Sequence, residues 1–208
     1  MMKNIKLLTL TCCLAVFTTG VARQNSPNLS SQDYTQYVDP YIGSGGHGHV
    51  FVGASVPYGM VQLGPSNIYK GWDWCSGYHY SDNILIGFSH THLSGTGCSD
   101  LGDILLMPMN EIHTQRGEQD DISNGYASTY SHKNEVVSPY YYSVLLDKYR
   151  IRAELTATTR VGFHRYTYPA GKPSYVLIDL HEGTSDVAYS CYARKVDDYT
   201  IEGYRYDH

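Results

Sequence analysis

The chain has 208 residues, enough for one domain with a buried core. Without the amino-terminal signal described next, 13 basic residues remain against 20 acidic ones, a formal net charge of −7. This balance argues against nucleic-acid binding, which needs basic patches, and no polybasic run indicates binding to an anionic membrane.

Residues 1–22 have the features of a secretory signal peptide. Its elements are Lys3, Lys6, the mostly apolar residues 7–21, and the small residues Gly20 and Ala22. The apolar run is too short for a stable membrane span, so we expect export without a membrane-spanning helix. Residues 23–36 are polar and predict a tether, which leaves residues 37–208 as the folded domain.

The cysteines predict at least one unpaired thiol. Two of the five cysteines leave with the signal, and Cys75, Cys98 and Cys191 remain. An odd number in an exported chain leaves one without an internal partner. Cys75 and Cys98 both lie in glycine-rich segments, where they either form a disulfide or are merely close.

From residue 37 onward, turn residues alternate with short strand signals. The segments MVQLGP (60–65) and DILLMP (103–108) predict strands that end at their prolines. Residues 151–163, IRAELTATTRVGF, alternate with a period of two and predict one thirteen-residue strand. The phase changes afterwards, which predicts a bulge within residues 162–165.

Further strands are predicted in SPYYYSVLLDKY (138–149), PSYVLIDL (173–180) and the final run YTIEGYRYDH. We find no convincing helical stripe after residue 39. Short strands without helices predict an all-β fold, an antiparallel β-sandwich. The final run begins a strand and stops, so we expect the chain to be a fragment of a longer protein.

Two glycine-rich segments contain candidate binding residues. GSGGHGHVFVG (43–53) allows close backbone approach or positive φ, although a plain turn between strands remains an alternative. KGWDWCSGYHYSD (70–82) holds both tryptophans of the chain. The Trp72 ring can stack on a sugar, and Asp73 can accept a hydrogen bond from a hydroxyl. Alternatively, the tryptophans fill and cap the core.

A third segment, GFSHTHLSGTGCSDLGD (87–103), contains His90 and His92, which face the same side if the chain is extended. Together with His47 and His49 they raise the alternative of a zinc site, but hydrogen bonds to loop backbone or substrate are favoured. Asp100 and Asp103 either form an acid–base pair or cap turns through backbone amides, and we favour capping.

Five motifs in order resemble the amino-terminal domain of the alpha-mannosidases of glycoside hydrolase family 92. They are VDPYIGSGGHGHVFVGASVPYGMVQLGP, GWDWCSGYHYSD, IGFSHTHLSGTGCSDLGDILLMP, SHKNEVVSPYYYSVLLD and ELTATTRVGFHRYTYP. The resemblance runs from about Tyr37 to the end of the chain and implies an exported bacterial exo-alpha-mannosidase, periplasmic or at the cell surface. Such an enzyme depends on calcium, inverts the anomeric carbon and acts on mannose-containing glycans.

The resemblance also implies that this chain lacks the catalytic residues. In the family the β-sandwich packs on an (α/α)₆ barrel, which supplies the two catalytic carboxylates and most calcium ligands. We therefore expect no catalytic and no metal-ligating residue here. The expected substrate contacts are Gly46, His47, Trp72 and Asp73, together with His90 and His92. The alternative function is a stand-alone, lectin-like carbohydrate-binding sandwich without catalysis.

Overall fold

The computed structural model describes residues 33–207, and its fold is all-β, as predicted. Within this range the helical segments are short 3₁₀ turns at Tyr34–Tyr37, Trp72–Trp74 and His132–Asn134. None of the described helices is long and apolar enough to cross a membrane. The predicted signal peptide and most of the predicted tether lie outside the described residues; the end of the tether, residues 34–36, is in the first 3₁₀ turn.

Twelve strands make up the described fold. They are β1 (Gly64–Ser66), β2 (Ile84–Leu85), β3 (Gly87–Ser89), β4 (Leu105–Met109), β5 (Ser128–Thr129), β6 (Val136–Ser138), β7 (Tyr141–Leu146), β8 (Ile151–Ala157), β9 (Gly162–Thr167), β10 (Tyr175–Asp179), β11 (Ser190–Lys195) and β12 (Ile201–Tyr206). One four-stranded sheet has the order β1-β3-β4-β10, and a second has the order β6-β7-β8-β9. The pairs β2–β5 and β11–β12 form two-stranded sheets.

The two four-stranded sheets share one hydrophobic core, as expected of a sandwich. The ring of Phe88, on β3, lies 6.3 Å from the rings of both Tyr142 on β7 and Tyr166 on β9. All pairings between the strands are antiparallel. The core thus joins strands that are far apart in sequence.

The predicted alternation is confirmed for residues 151–157, but the single thirteen-residue strand is wrong. Strand β8 ends at Ala157, residues 158–161 form a turn closed by the Thr158 amide bonding to the Val161 carbonyl at 2.8 Å, and β9 returns antiparallel to β8. The change of phase is therefore a hairpin and not a bulge. Phe163 is half exposed, whereas His164 and Tyr166 point inward.

The prolines do not end the strands that precede them, so this prediction is also wrong. Pro65 lies inside β1, an edge strand, where its missing amide hydrogen is tolerated. Pro108 lies inside β4, beyond the Phe88–Leu106 pairing of β3 with β4. The strands predicted within residues 138–149, within 173–180 and in the final run are confirmed as β7, β10 and β12.

Candidate functional site

The three segments singled out in the sequence meet in the structure. The Trp72 indole N–H donates to the Gly97 carbonyl at 2.9 Å, which joins the second segment to the third. The Gly95 amide donates to the His49 carbonyl at 2.7 Å, which joins the third segment to the first. The Cys75 thiol also donates to the Thr96 carbonyl at 3.1 Å. Loops distant in sequence are therefore cross-linked around Trp72.

Trp72 presents an aromatic ring to solvent although its indole N–H is satisfied. It lies in a single 3₁₀ turn and is 55% exposed. The edge-on ring of His49 lies 4.3 Å away, and the ring of His47 lies 5.5 Å away. The hydrogen bond and the histidines hold the indole in place, so its open face can stack on a ligand at low entropic cost.

Asp73, beside Trp72, is an ionised acceptor held by His47. The His47 Nδ1 donates to Asp73 Oδ1 at 2.6 Å. This hydrogen bond is the main reason why the pKa of the Asp73 carboxyl is lowered from its ordinary value. The buried His49 Nε2 lies 3.6 Å from the same oxygen and has no hydrogen-bond partner among the described residues.

Gly46 contributes its backbone to the same place. Its φ of 55° lies in the left-handed region, which glycine adopts without steric cost. The Gly46 carbonyl accepts from His79 Nε2 at 3.3 Å. His79 Nδ1 accepts from the Ser81 amide, so the ring proton is on Nε2. We call Gly46, His47, Trp72 and Asp73 the tryptophan site.

Trp74 is packed, in contrast to Trp72. Its indole N–H donates to Asp82 Oδ2 at 2.9 Å, and its ring stacks on His79 at 4.2 Å. Lys70 pairs with the same carboxylate at 2.8 Å. The core-filling alternative of the sequence thus describes Trp74, whereas Trp72 remains exposed.

His90 lies in a hydrogen-bonded chain between the two four-stranded sheets. His90 Nδ1 donates to the Ile104 carbonyl at 2.8 Å, so its Nε2 accepts from His164 Nε2 at 3.0 Å. The Tyr166 hydroxyl then donates to His164 Nδ1 at 2.7 Å. Burial lowers the pKa of His90, and it lowers that of His164 to about 4, which keeps both rings neutral.

His92 is buried in a second network. Its Nδ1 donates to the Gln62 carbonyl at 2.8 Å, its Nε2 accepts from the Ser89 hydroxyl at 3.0 Å, and its ring stacks on Phe51. Burial lowers its pKa to about 4. The hydrogen bonds of His90 and His92 thus go to other residues of the domain core and its backbone. None of these bonds connects either histidine to Gly46, His47, Trp72 or Asp73.

The two aspartates of the third segment have separate roles. The Asp100 carboxylate accepts from the Leu101 amide at 2.7 Å, which is the predicted bond to turn backbone. Asp103 accepts from the Thr91 hydroxyl and pairs with Arg205 at 2.5 Å, so the capping prediction is wrong for this side chain. Arg205 is almost fully buried and also pairs with Asp186.

The part of the chain that the structure describes does not suit a metal ion. No three histidine, cysteine, aspartate or glutamate side chains within residues 33–207 are grouped to hold one. Asp73 is the one carboxylate beside Trp72 among the described contacts, and it is accompanied by the imidazoles of His47 and His49, whereas calcium prefers six to eight oxygens. These residues therefore do not fit the calcium implied by the resemblance. Cys75, Cys98 and Cys191 are free thiols.

Two contributors were not named from the sequence, the Gly97 carbonyl and the His79 ring. A third, His49 with its unsatisfied Nε2, was named only in the zinc alternative. His49 lies in the glycine-rich segment 43–53 and His79 in the segment 70–82. In the sequence only their residue type indicated a role in the site. The role of Gly97 depends on a backbone carbonyl, which no residue type indicates.

Comparisons with known proteins agree with this architecture. A profile of the glycosyl hydrolase family 92 N-terminal domain matches residues 37–208. An uncharacterized secreted glycosidase of Arthroderma benhamiae is 30% identical over 177 residues, which are 80% of this chain and 22% of that protein.

Two solved structures extend the comparison. The GH92 alpha-mannosidase BT3965 of Bacteroides thetaiotaomicron, in complex with mannoimidazole, is 40% identical with a TM-score of 0.79. The GH92 glycosyl hydrolase ccman5 is 30% identical with a TM-score of 0.70. This chain covers 23% and 24% of them, while 82% of it is matched in both. It thus spans less than a quarter of these relatives and belongs to glycosyl hydrolase family 92, whose N-terminal domain it contains.

Proposed function

We propose that the chain is the substrate-binding amino-terminal part of an exported, calcium-dependent, inverting exo-alpha-mannosidase that releases mannose from glycans. The observation that carries this proposal is the tryptophan site in a family 92 domain. Its exposed indole has an ionised carboxylate beside it. The indole face suits the apolar face of a pyranose, and Asp73 suits its hydroxyls.

The chemistry of the reaction belongs to residues outside this chain. Inversion needs two carboxyl groups about 6.5–9.5 Å apart, with room for a water between them. The lowered pKa of Asp73 does not suit a general acid, and Asp103 is paired with Arg205 and bonded to Thr91. The domain therefore binds and orients the sugar, while an acid, a base and the calcium ligands come from the (α/α)₆ barrel.

The test is mannose release by the full-length protein with Trp72→Ala. Stacking on the indole stabilises the bound sugar, so its loss should lower kcat/KM for an alpha-mannoside at least about tenfold. Trp74→Phe is the matched control and should stay within about threefold of the parent. Activity should disappear with a chelator and return with calcium, and NMR should show inversion. Mannose release by the 208-residue chain alone, or a Trp72→Ala enzyme equal to the parent, would overturn the proposal.

A stand-alone carbohydrate-binding function is the second candidate. It is favoured by the fact that loops of this chain alone assemble the tryptophan site. Calorimetric titration of the 208-residue chain with mannose would show binding in the millimolar range or tighter if this function applies. Absence of binding, with a folded chain, argues for a site that is complete only in the full-length enzyme.

A further inference from the structure

Glu135 is a buried carboxylate that receives four donors, and the tryptophan site does not include it. Its side chain is fully buried, just after the third 3₁₀ turn. Oε1 accepts from the Tyr142 hydroxyl at 2.7 Å, and Oε2 accepts from the Tyr41 hydroxyl at 3.1 Å. Oε2 also accepts from the Tyr78 hydroxyl at 3.2 Å and from His132 Nδ1 at 2.7 Å.

These donors match the ionised carboxylate, which only accepts hydrogen bonds. Burial and the negative charge of Glu135 together raise the pKa of Tyr41, Tyr78 and Tyr142, so the phenols stay protonated as donors. Such a buried charge is tolerated only while its hydrogen bonds are made. The carboxylate therefore constrains each segment that sends a donor to it. We call Glu135 and its four donors the glutamate cluster.

One donor leads directly into the loop of the tryptophan site. The Tyr41 carbonyl accepts from both the amide and the hydroxyl of Ser44, and the Ser44 carbonyl accepts from the Tyr80 amide. Gly46 and His47 follow two and three residues after Ser44, and His47 bonds to Asp73. Tyr41 therefore fixes the start of the loop that places His47.

Two other donors lead to the opposite side of the same loop. Tyr78 precedes His79, which donates to the Gly46 carbonyl and stacks on Trp74. His132 stacks on Tyr80 at 4.3 Å, and Tyr80 in turn meets the ring of Tyr41. The fourth donor, Tyr142, is on β7, in the sheet of strands β6-β7-β8-β9.

We propose that Glu135 is a positioning residue for the sugar site, because its carboxylate ties the loop of Gly46 and His47 and the segment of His79 to the start of strand β6, which begins at the next residue. This inference rests on the proposed function for its effect on the sugar. It gives Glu135 no contact with substrate. The predicted consequence is weaker binding of the sugar when the hydrogen bond from Tyr41 to Glu135 is removed.

The test compares variants of the full-length protein. Glu135→Gln puts an amide donor against the hydroxyl and imidazole donors, and Tyr41→Phe removes only the donor on the loop side. Both should raise KM for an alpha-mannoside about tenfold, with kcat changed less. Both should also speed hydrogen–deuterium exchange in peptides that cover residues 41–49.

Two matched controls separate positioning from general stability. Tyr142→Phe removes a donor from the same carboxylate on the strand side, and Glu154→Gln alters a second tyrosine-bonded glutamate, on β8. Both should lower the melting temperature while KM and exchange in residues 41–49 stay within about twofold of the parent.

Two outcomes would overturn the inference. One is unchanged exchange in residues 41–49 in folded Tyr41→Phe and Glu135→Gln proteins. The other is an equal effect of Tyr142→Phe and Tyr41→Phe on the loop. A parent protein without mannosidase activity would contradict the proposed function. The positioning role of Glu135 would still be tested, because hydrogen–deuterium exchange in residues 41–49 is measured without substrate. If Glu135→Gln does not fold, Tyr41→Phe alone decides.

Discussion

At the scale of the residue, Asp73 lies near two histidines but bonds to only one. His47 is largely exposed and donates to it, whereas His49 is buried with an unsatisfied Nε2 at 3.6 Å. The bond from His47 lowers the pKa of Asp73, so the carboxylate remains an acceptor in mildly acidic solution. Binding through this acceptor is present above the Asp73 pKa and is lost as the pH falls through it.

We expect His47→Ala to move this loss of binding to higher pH. Without the donor the pKa of Asp73 returns toward its ordinary value, so the acceptor is protonated sooner on acidification. The measurement is the affinity of the full-length protein for methyl alpha-mannoside at a series of acidic pH values. His47→Gln keeps a side-chain donor and should behave more like the parent. Identical acid limbs for all three proteins would contradict the expected role of His47.

The sequence identified the chemistry of individual residues better than their partners. His47, Trp72 and Asp73 were singled out by type, and the structure brings them together. His90 and His92 were singled out on the same grounds, but their bonds go to His164 and to the Gln62 carbonyl. Such partners come from segments remote in sequence, and no local pattern encodes them.

At the scale of the element, the hairpin of β8 and β9 shows why periodicity located the strand but missed its end. Thr159 and Val161 continue the alternation through the turn, and residues 158–161 contain no glycine, asparagine or proline. The buried face of β8 was correctly predicted because burial imposes a period of two. The turn was missed because its bonds are made by backbone, for example from the Met60 amide to the Thr159 carbonyl.

We expect Phe88→Ala on β3 to destabilise the sandwich by about 3–5 kcal/mol, because it leaves a cavity between the two sheets. The Phe88 ring is fully buried against Tyr142 and Tyr166. Phe163→Ala on β9 is the matched control: this ring is 52% exposed, and its loss should cost less than about 1 kcal/mol. Urea unfolding measures both, and equal losses would show that the core is not where the structure has it.

The burial of His164, on β9, should make stability depend on pH. The folded pKa of His164 is about 4, below the ordinary 6.5, so its stabilising contribution is present above about pH 6.5 and is lost toward pH 4. His90 and His92 are shifted in the same direction. The full loss from His164 is on the order of 3 kcal/mol.

The corresponding variant is His164→Gln, which keeps polar groups but does not titrate. Its free energy of unfolding should fall less than that of the parent between about pH 7 and pH 5. Some dependence should remain because His92 is also buried and neutral, with a pKa lowered to about 4. Parallel pH profiles for the parent and the variant would show that His164 is not a source of the dependence.

At the scale of the whole molecule, the last three strands expose more apolar side chains than is usual on the surface of a monomeric soluble protein. The exposed residues on β10, β11 and β12 include Val176, Ile178, Tyr192, Ile201 and Tyr204. Adjacent apolar groups of this kind mark interaction surfaces or promote association. The family relatives are more than four times longer than the matched region, in line with a domain that has further contacts.

We therefore expect the isolated 208-residue chain to self-associate. Burying the exposed faces of these strands removes apolar surface from water, which favours oligomers or aggregates at micromolar concentration. Light scattering after gel filtration measures the mass. Replacing Val176 and Ile201 by lysine should lower the associated fraction. A monodisperse monomer that melts cooperatively would contradict this expectation.

The β11–β12 hairpin is a sheet of its own, and Arg205, paired with Asp103 and Asp186, ties it to the loops beside the sandwich. Two-stranded sheets have little stability in isolation. We therefore expect the hairpin to open at a lower free-energy cost than the sandwich, and to detach while the sandwich stays intact. Limited proteolysis should then cut first within residues 196–200, the connection between β11 and β12. The hairpin should be lost before any other part of the fold is digested.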